Sequence, residues 1–411
     1  MLIPADVNSA WPGASNAAAI VRMRQRADFA PAVAPLLEAL ARLASPADLQ
    51  QHVGRPLAGY YCAQTPVELL YAMGYQPVHL HALISAEERR LPTAISHLAC
   101  PLANACLAVC QSRWAALSLC EFIVLPLACD WITKTADWLK AAGYSVHIME
   151  VPREQQNAQS RQRWSEEVRF LLQALERRRS RAICRRALRR SIAAYAWAWE
   201  LLARLRDLRQ KGKISGLWFF TAAQAIWAEK LERWCQYIQQ LIAWGEAQPP
   251  LRAPRIFLGG SPLFFPEAEI ISTIENAGLC IADDNLCACG RLLAGPAVYE
   301  DDSVVSLCRA VAERHYIACA CPTAIDASGR SRIMLESAKQ NKMQGIVYVI
   351  QQGCHPCAAE AISVEKEARS AGMPYLRLEV SAAADAMAAW RVRLEAFGET
   401  LSARIEKGEN A

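Results

Sequence analysis

The sequence predicts an α/β protein: two doubly wound parallel-sheet domains joined by a helical middle and preceded by an N-terminal helical extension. Three observations lead there. Short apolar runs such as Phe122-Ile123-Val124-Leu125-Pro126 alternate with helical patterns, the texture of a mainly parallel sheet with helices on both faces. That texture occurs twice, on either side of a long stretch with no strand signal. At 411 residues and 53% apolar, the chain can also bury more than one core.

Taken in order, residues 1–55 form the extension, where 31–43 is apolar at helical spacing and Ser45-Pro46 stops it. The first α/β domain is expected over 56–162. Thr65-Pro66-Val67-Glu68 opens a helix that Gly74 closes, and 76–80 is the next strand. The buried strand 122–127 leads into a helix over 130–142, closed by Gly143, and 145–149 is another strand. The helical middle, 163–250, reads as long helices over 165–210 and 215–244, with Gln248-Pro249-Pro250 as a linker. The second α/β domain, 251–400, has expected strands at 255–258, 279–282, 345–350 and 375–378. Helices are expected at 267–276, 331–341 and 358–370.

Lysine and arginine total 45 against 40 acidic residues, a net charge of +5. That is too small at this length to argue for nucleic acid. The start, Met1-Leu2-Ile3-Pro4, lacks a basic segment followed by an apolar run, and no apolar run is long enough to span a bilayer. A cytoplasmic protein with no membrane partner is expected.

The sixteen cysteines are the outlier. In a reducing compartment they stay thiols, which leaves metal ligation, redox chemistry or plain burial. Position decides among these, because an open α/β sheet binds ligands beyond the carboxyl ends of its strands. Cys129 follows the strand 122–127 and Cys354 follows 345–350, each just before a helix; Cys287 and Cys289 follow 279–282. Cys319 and Cys321 follow the apolar Tyr316-Ile317-Ala318. A helix start also favours the thiolate, the form that binds metal. Cys184 and Cys235, inside helical patterns, read as small core residues, as do Cys110, Cys120, Cys280 and Cys308.

Three chemistries could use such a set. Zinc could take Cys287-Ala-Cys289 with Cys319-Ala-Cys321, although each pair is spaced more tightly than zinc pairs usually are. Cys354-His355-Pro356-Cys357 at a strand-to-helix turn matches a thiol redox pair. An iron–sulfur cluster accounts for more of the cysteines at once.

Five stretches resemble, in order, the D-component family of 2-hydroxyacyl-CoA dehydratases and benzoyl-CoA reductases. They are Tyr61-Cys62-Ala63-Gln64-Thr65-Pro66-Val67-Glu68 with Ala72-Met73-Gly74-Tyr75-Gln76-Pro77, Cys100-Pro101-Leu102-Ala103-Asn104-Ala105-Cys106, and Leu125-Pro126-Leu127-Ala128-Cys129-Asp130. Gly259-Gly260-Ser261-Pro262 with Ala282-Asp283-Asp284-Asn285-Leu286-Cys287, and Val349-Ile350-Gln351-Gln352-Gly353-Cys354-His355, complete the set. The resemblance implies a four-iron four-sulfur (4Fe-4S) cluster held by Cys100, Cys129 and Cys354 between two α/β domains, with Cys106 an alternative to Cys100. The likeness is greater to the double-cubane (8Fe-9S) cluster proteins, whose additional ligands match Cys62, Cys287 and the Cys319/Cys321 pair. It further implies an ATP-dependent iron–sulfur activator ATPase as electron donor, and a homodimer or a heterodimer with a related subunit. Cys357 is an additional thiol by the family's pattern.

Other residues carry two readings each. Glu68, at a helix start beside Cys62, is a candidate acid/base or a carboxylate complementing the helix dipole. His355 could donate to a cluster sulfur or merely begin its helix. Gly259-Gly260-Ser261 could approach a phosphate or form a tight turn. Arg177, Arg181, Arg185 and Arg189 make one helical stripe, either solvated or a docking face for an acidic partner. Tryptophans 197, 199, 218, 227, 234 and 244 suit packing of the helical middle. The expected function is an iron–sulfur reductase component passing low-potential single electrons to a small substrate. The alternatives are a dehydratase or benzoyl-CoA-type reductase subunit with one cluster, and a non-catalytic cluster or metal carrier.

Overall fold

The computed structural model describes residues 16–26, 28–84, 93, 99–111, 115–293, 295–317, 321–325, 328–380 and 386–408. Its architecture is α/β, with two four-stranded parallel sheets surrounded by helices. The first sheet holds β1 (Leu57–Tyr60), β2 (Gln76–His79), β3 (Cys120–Leu127) and β4 (Val146–Glu150) in the order β2-β1-β3-β4. The second holds β5 (Arg255–Gly260), β6 (Cys280–Asp284), β7 (Gly345–Gln351) and β8 (Tyr375–Val380) in the order β6-β5-β7-β8. Every ladder is parallel, which requires the helical crossovers seen between strands.

Both sheets reverse winding direction at the same place, between their two central strands. Beyond the carboxyl ends of β1 and β3, and again of β5 and β7, the connecting segments leave in opposite directions and open a crevice. These strands are apolar because both faces are covered; every residue of β7 is buried.

Helices Ala158–Arg179, Arg185–Gln210, Gly216–Ala225 and Leu231–Glu246 separate the sheets in sequence and pack against both. Ser191 Oγ donates to the Glu68 carbonyl at 2.7 Å, while Arg206 and Arg209 reach Asp283 and Asp284 at the end of β6. Trp164, Trp218 and Trp234 are fully buried, and each indole N–H meets a backbone carbonyl, as buried tryptophans require. The arginine stripe is largely solvent-facing, with Arg189 paired to Asp302. Among the described residues, no helix is long and apolar enough to cross a membrane.

Two local expectations differ from the structure. Tyr316 and Ile317 end the helix Val304–Ile317, because Leu307, Val311 and His315 recur every fourth residue on its buried face. Cys321 therefore follows a helix and not a strand. Cys184 is exposed and lies outside helical interiors: the preceding helix stops at Ser180, whose φ is 47°, and the next starts at Arg185.

Candidate functional site

Six cysteines expected at the site line one cavity of about 110 Å³: Cys62, Cys100, Cys129, Cys287, Cys321 and Cys354. Cys319 lies outside the described residues. Cys357 joins the six, and no disulfide links any of them.

Their positions follow from topology. Cys62 sits two residues beyond β1, and Cys129 caps the helix Asp130–Ala141 after β3, so these two flank the switch point of the first sheet. Cys354 caps the helix His355–Ser370 after β7, at the switch point of the second. Opposite it, β5 ends in Gly260 with φ at 125°, where a Cβ would stand 1.9 Å from the Val349 carbonyl oxygen. Only glycine fits there, and the tight approach brings Ser261 against β7, where its hydroxyl accepts from Gln351 N–H. Cys100 precedes the helix Pro101–Gln111.

Cys287 is placed by a carboxylate. Asp284 Oδ1 accepts from the backbone N–H groups of Leu286 and Gly290, both at 2.8 Å, and folds the loop around Cys287. Arg209 donates to its other oxygen at 2.7 Å and bridges to Asp283 at 3.0 Å. The loop closes so tightly that a Cβ on Gly290 would lie 2.0 Å from the Asp284 carbonyl oxygen.

Burial and neighbouring thiols together set the protonation of the cavity cysteines. Burial pushes Cys100 up to about 12, and Cys354 and Cys129 each add to the rise. Burial also pushes Cys129 up to about 11, opposed by the N–H of Ile132 and reinforced by Cys321 and Cys354. Cys287 is raised by burial and by Cys321, with Arg291 opposing. Cys62 and Cys287 both act on Tyr60. Cys129 and Cys354 thus both act on Cys100, while Cys321 acts on Cys129 and on Cys287, so the cavity thiols influence one another across both halves of the lining. Cys354 is instead lowered, to about 6. The Cys357 thiol donates to it, burial opposes, and the Ser261 hydroxyl, the Cys357 N–H and Arg291 add to the lowering.

Cys106 is elsewhere. It is fully buried behind Tyr61, whose hydroxyl lies 3.1 Å from its sulfur, with Cys110 and Thr135 beside it. Cys100 is the one of that pair on the cavity. Cys110, Cys120, Cys235, Cys280 and Cys308 are buried away from it, and Cys289 packs near Gln224.

Glu68 is buried but does not line the cysteine cavity. Its Oε2 is 2.7 Å from His315 Nε2, and Arg314 is 3.8 Å from Oε1. Burial works to raise this carboxyl, but His315 and Arg314 outweigh it and hold it at about 2. Its geometry is that of a fixed buried anion. His355 is exposed in an outer groove shared with Cys129, Trp131, Lys134 and Arg153.

Sequence reasoning missed Arg291, which lines the cysteine cavity and holds its loop by donating from Nε to the Asn285 carbonyl at 2.8 Å. It also missed Trp131, His79 and His81 on the cavity wall and the Arg314-His315 pair under Glu68. No spacing marks these residues, since they come from four separate segments.

The family model described as 2-hydroxyglutaryl-CoA dehydratase, D-component, matches residues 62–401. The chain belongs to that family. A similar protein in Escherichia coli (strain K12), named "Putative dehydratase subunit YjiM", is 25% identical over 371 residues, covering 86% of this chain and 93% of its own length. The match covers every strand of both sheets except β1, which ends at Tyr60 just before it begins, and every described cavity cysteine. A dehydratase-like enzyme component is the family's description, and this chain shares it.

Proposed function

We propose that this dehydratase-family protein is an iron–sulfur reductase component that receives low-potential single electrons from an ATP-dependent activator. A double-cubane-type cluster in the cysteine cavity would pass them to a small substrate. The observation carrying this reading is the convergence of six cysteines, drawn from both sheet-bearing halves of the chain, on one cavity.

The donor set fits such a group. Thiolates are the ligands of iron–sulfur cubes, three or four to each. Among the described residues, no three His, Cys, Asp or Glu side chains are close enough to hold a single metal ion. Thiols distributed around a cavity suit a polynuclear group better than one zinc. Gln64 adds a buried amide nitrogen with no partner among the described residues, next to its own bond from the Cys62 thiol. Arg291 supplies positive charge beside Cys287 and Cys354.

In this reading Cys100, Cys129 and Cys354 hold one cube, and Cys62 and Cys287 hold the other with Cys321 or Cys319. When bound, the cluster supplies one-electron reduction at low potential. The protein's own residues do the rest. Burial keeps the thiols of Cys100, Cys129 and Cys287 protonated until metal displaces the protons, and the Asp284 loop and the two helix starts fix ligands in place. Tyr61, Trp131 and Phe264 supply aromatic parts of the cavity wall.

A second reading follows from the family description and from the relative's name: a dehydratase subunit with a single four-iron cluster on Cys100, Cys129 and Cys354, acting with a related partner on an acyl-CoA. Iron and acid-labile sulfide, measured per chain on protein purified without oxygen, separate the two. About eight irons support the double cluster and about four the single one. Zinc alone, or no metal after anaerobic purification and reconstitution, overturns both.

A further inference from the structure

Beside the cysteine cavity lies a second, smaller chamber lined by Tyr60, Thr65, Trp199, Arg291, Arg314 and His315 among others. It draws on the segment after β1, the helix Arg185–Gln210, the loop after β6 and the end of the helix Val304–Ile317. Arg291 lines both chambers.

The lining offers donors and positive charge. Trp199 is 6% exposed, and its Nε1, which can only donate, has no hydrogen-bond partner among the described residues. Thr65 is fully buried, and its Oγ likewise has none. The Tyr60 hydroxyl accepts from Trp227 Nε1 at 2.7 Å, which leaves its own proton to give. Arginine side chains donate and cannot accept.

The nearby acceptors are engaged. The Ala63 carbonyl takes His315 Nδ1 at 3.1 Å, and the Leu292 carbonyl takes Arg314 Nη2 at 2.8 Å. Glu68, the nearby carboxylate, is held by His315 at 2.7 Å with Arg314 at 3.8 Å, and is not part of the lining. Arg314 is thus already matched to an anion, while the lining brings no acidic side chain to Arg291. Two buried polar atoms without partners, in a cationic chamber with no acidic side chain in its lining, call for a ligand that accepts and carries negative charge.

We propose that this chamber binds a small carboxylate-type oxyanion, held by Trp199, Thr65 and the guanidinium group of Arg291. The site rests on its own residues, so the cluster reading can fail without touching it. Through Arg291 the bound anion shares a cation with the thiols of the neighbouring cavity.

The test is calorimetric titration of the intact chain with formate at constant ionic strength, with neutral formamide as the control and Thr65→Val and Trp199→Phe as variants. Formate is expected to bind saturably at one site per chain and formamide not at all. Each variant should weaken formate by about tenfold, the loss of one hydrogen bond to a charged ligand. In formate-free buffer Thr65→Val should melt no lower than the parent, since deleting an unmet buried hydroxyl relieves its desolvation cost, whereas Trp199→Phe loses ring packing and should melt lower. Should Trp199→Phe fail to fold, the near-isosteric Thr65→Val carries the test alone. No saturable formate binding, equal binding of formamide, variants that bind unchanged, or a crystal structure in formate with only water in the chamber would each overturn the proposal.

Discussion

Glu68 and His315, 247 residues apart, meet at 2.7 Å in the buried interior. Glu68 lies in the helix Val67–Ala72 of the first sheet's layer, and His315 near the end of the helix that precedes Cys321. The imidazole also faces the Ala63 carbonyl at 3.1 Å, one residue from Cys62. A single carboxylate–imidazole contact thus ties the segments bearing Cys62 and Cys321, two of the cysteines on the cavity.

This pair sets an acid limit on stability. The folded carboxyl sits at about 2, against roughly 4.3 for an unfolded glutamate. A depressed carboxyl stabilises fully above the unfolded value, and the contribution disappears as pH falls from there through the folded value. About 2–3 kcal/mol should therefore be lost between roughly pH 5 and pH 2. Glu68→Gln should cost about 3 kcal/mol at neutral pH, because it leaves Arg314 and His315 buried without their anion. Its stability should then vary less with pH across that window. Urea melts of both proteins at several pH values check this; parallel pH profiles would remove the pair from the account.

The Asp284 carboxylate makes a separate prediction about the Cys287 loop. It accepts two backbone N–H groups with one oxygen and Arg209 with the other. Asp284→Asn keeps the size but loses the charge that holds Arg209, and should cost about 2–4 kcal/mol. With the loop loosened, Cys287 in the metal-free chain should alkylate several-fold faster while Cys235, buried in a distant helix, does not change. Peptide mass spectrometry after timed alkylation reads both. A uniform rise at all buried cysteines would mean global destabilisation in place of a positioning role.

Much of the framework was legible in the sequence because its signals are local. Apolar runs of strand length before a helix start marked β3 and β7, and so placed Cys129 and Cys354 at carboxyl ends. The ordered motifs pointed to the family that the comparison bears out. The partners were not legible. Nothing near Glu68 in sequence announces His315, and nothing near Cys287 announces Arg209, because those contacts form only when helices from different segments pack. Tyr316-Ile317 looked strand-like as a short apolar fragment, yet the four-residue recurrence of Leu307, Val311 and His315 makes it the end of a helix. Cys184 looked buried by its helical surroundings, and the break at Ser180 exposes it.

Cys357, the thiol beyond the family's pattern, has a specific job in the metal-free protein. It donates to Cys354 from one helical turn away, and this is the largest influence lowering Cys354 to about 6, ahead of the Ser261 hydroxyl. The donor is itself pushed well up by the same bond and by burial, so the proton stays on Cys357. Cys354 should therefore be mostly thiolate at neutral pH, unlike Cys100 and Cys129. Cys357→Ala removes the donor, and the pH of half-maximal Cys354 alkylation should rise by about one unit or more. Ser261→Ala should move it upward by less, because the hydroxyl is the smaller influence. The measurement is the alkylation rate at Cys354 from pH 5 to 9 in metal-free, reduced protein. A profile that Cys357→Ala leaves in place would show that the helix start and Arg291 suffice to hold the thiolate.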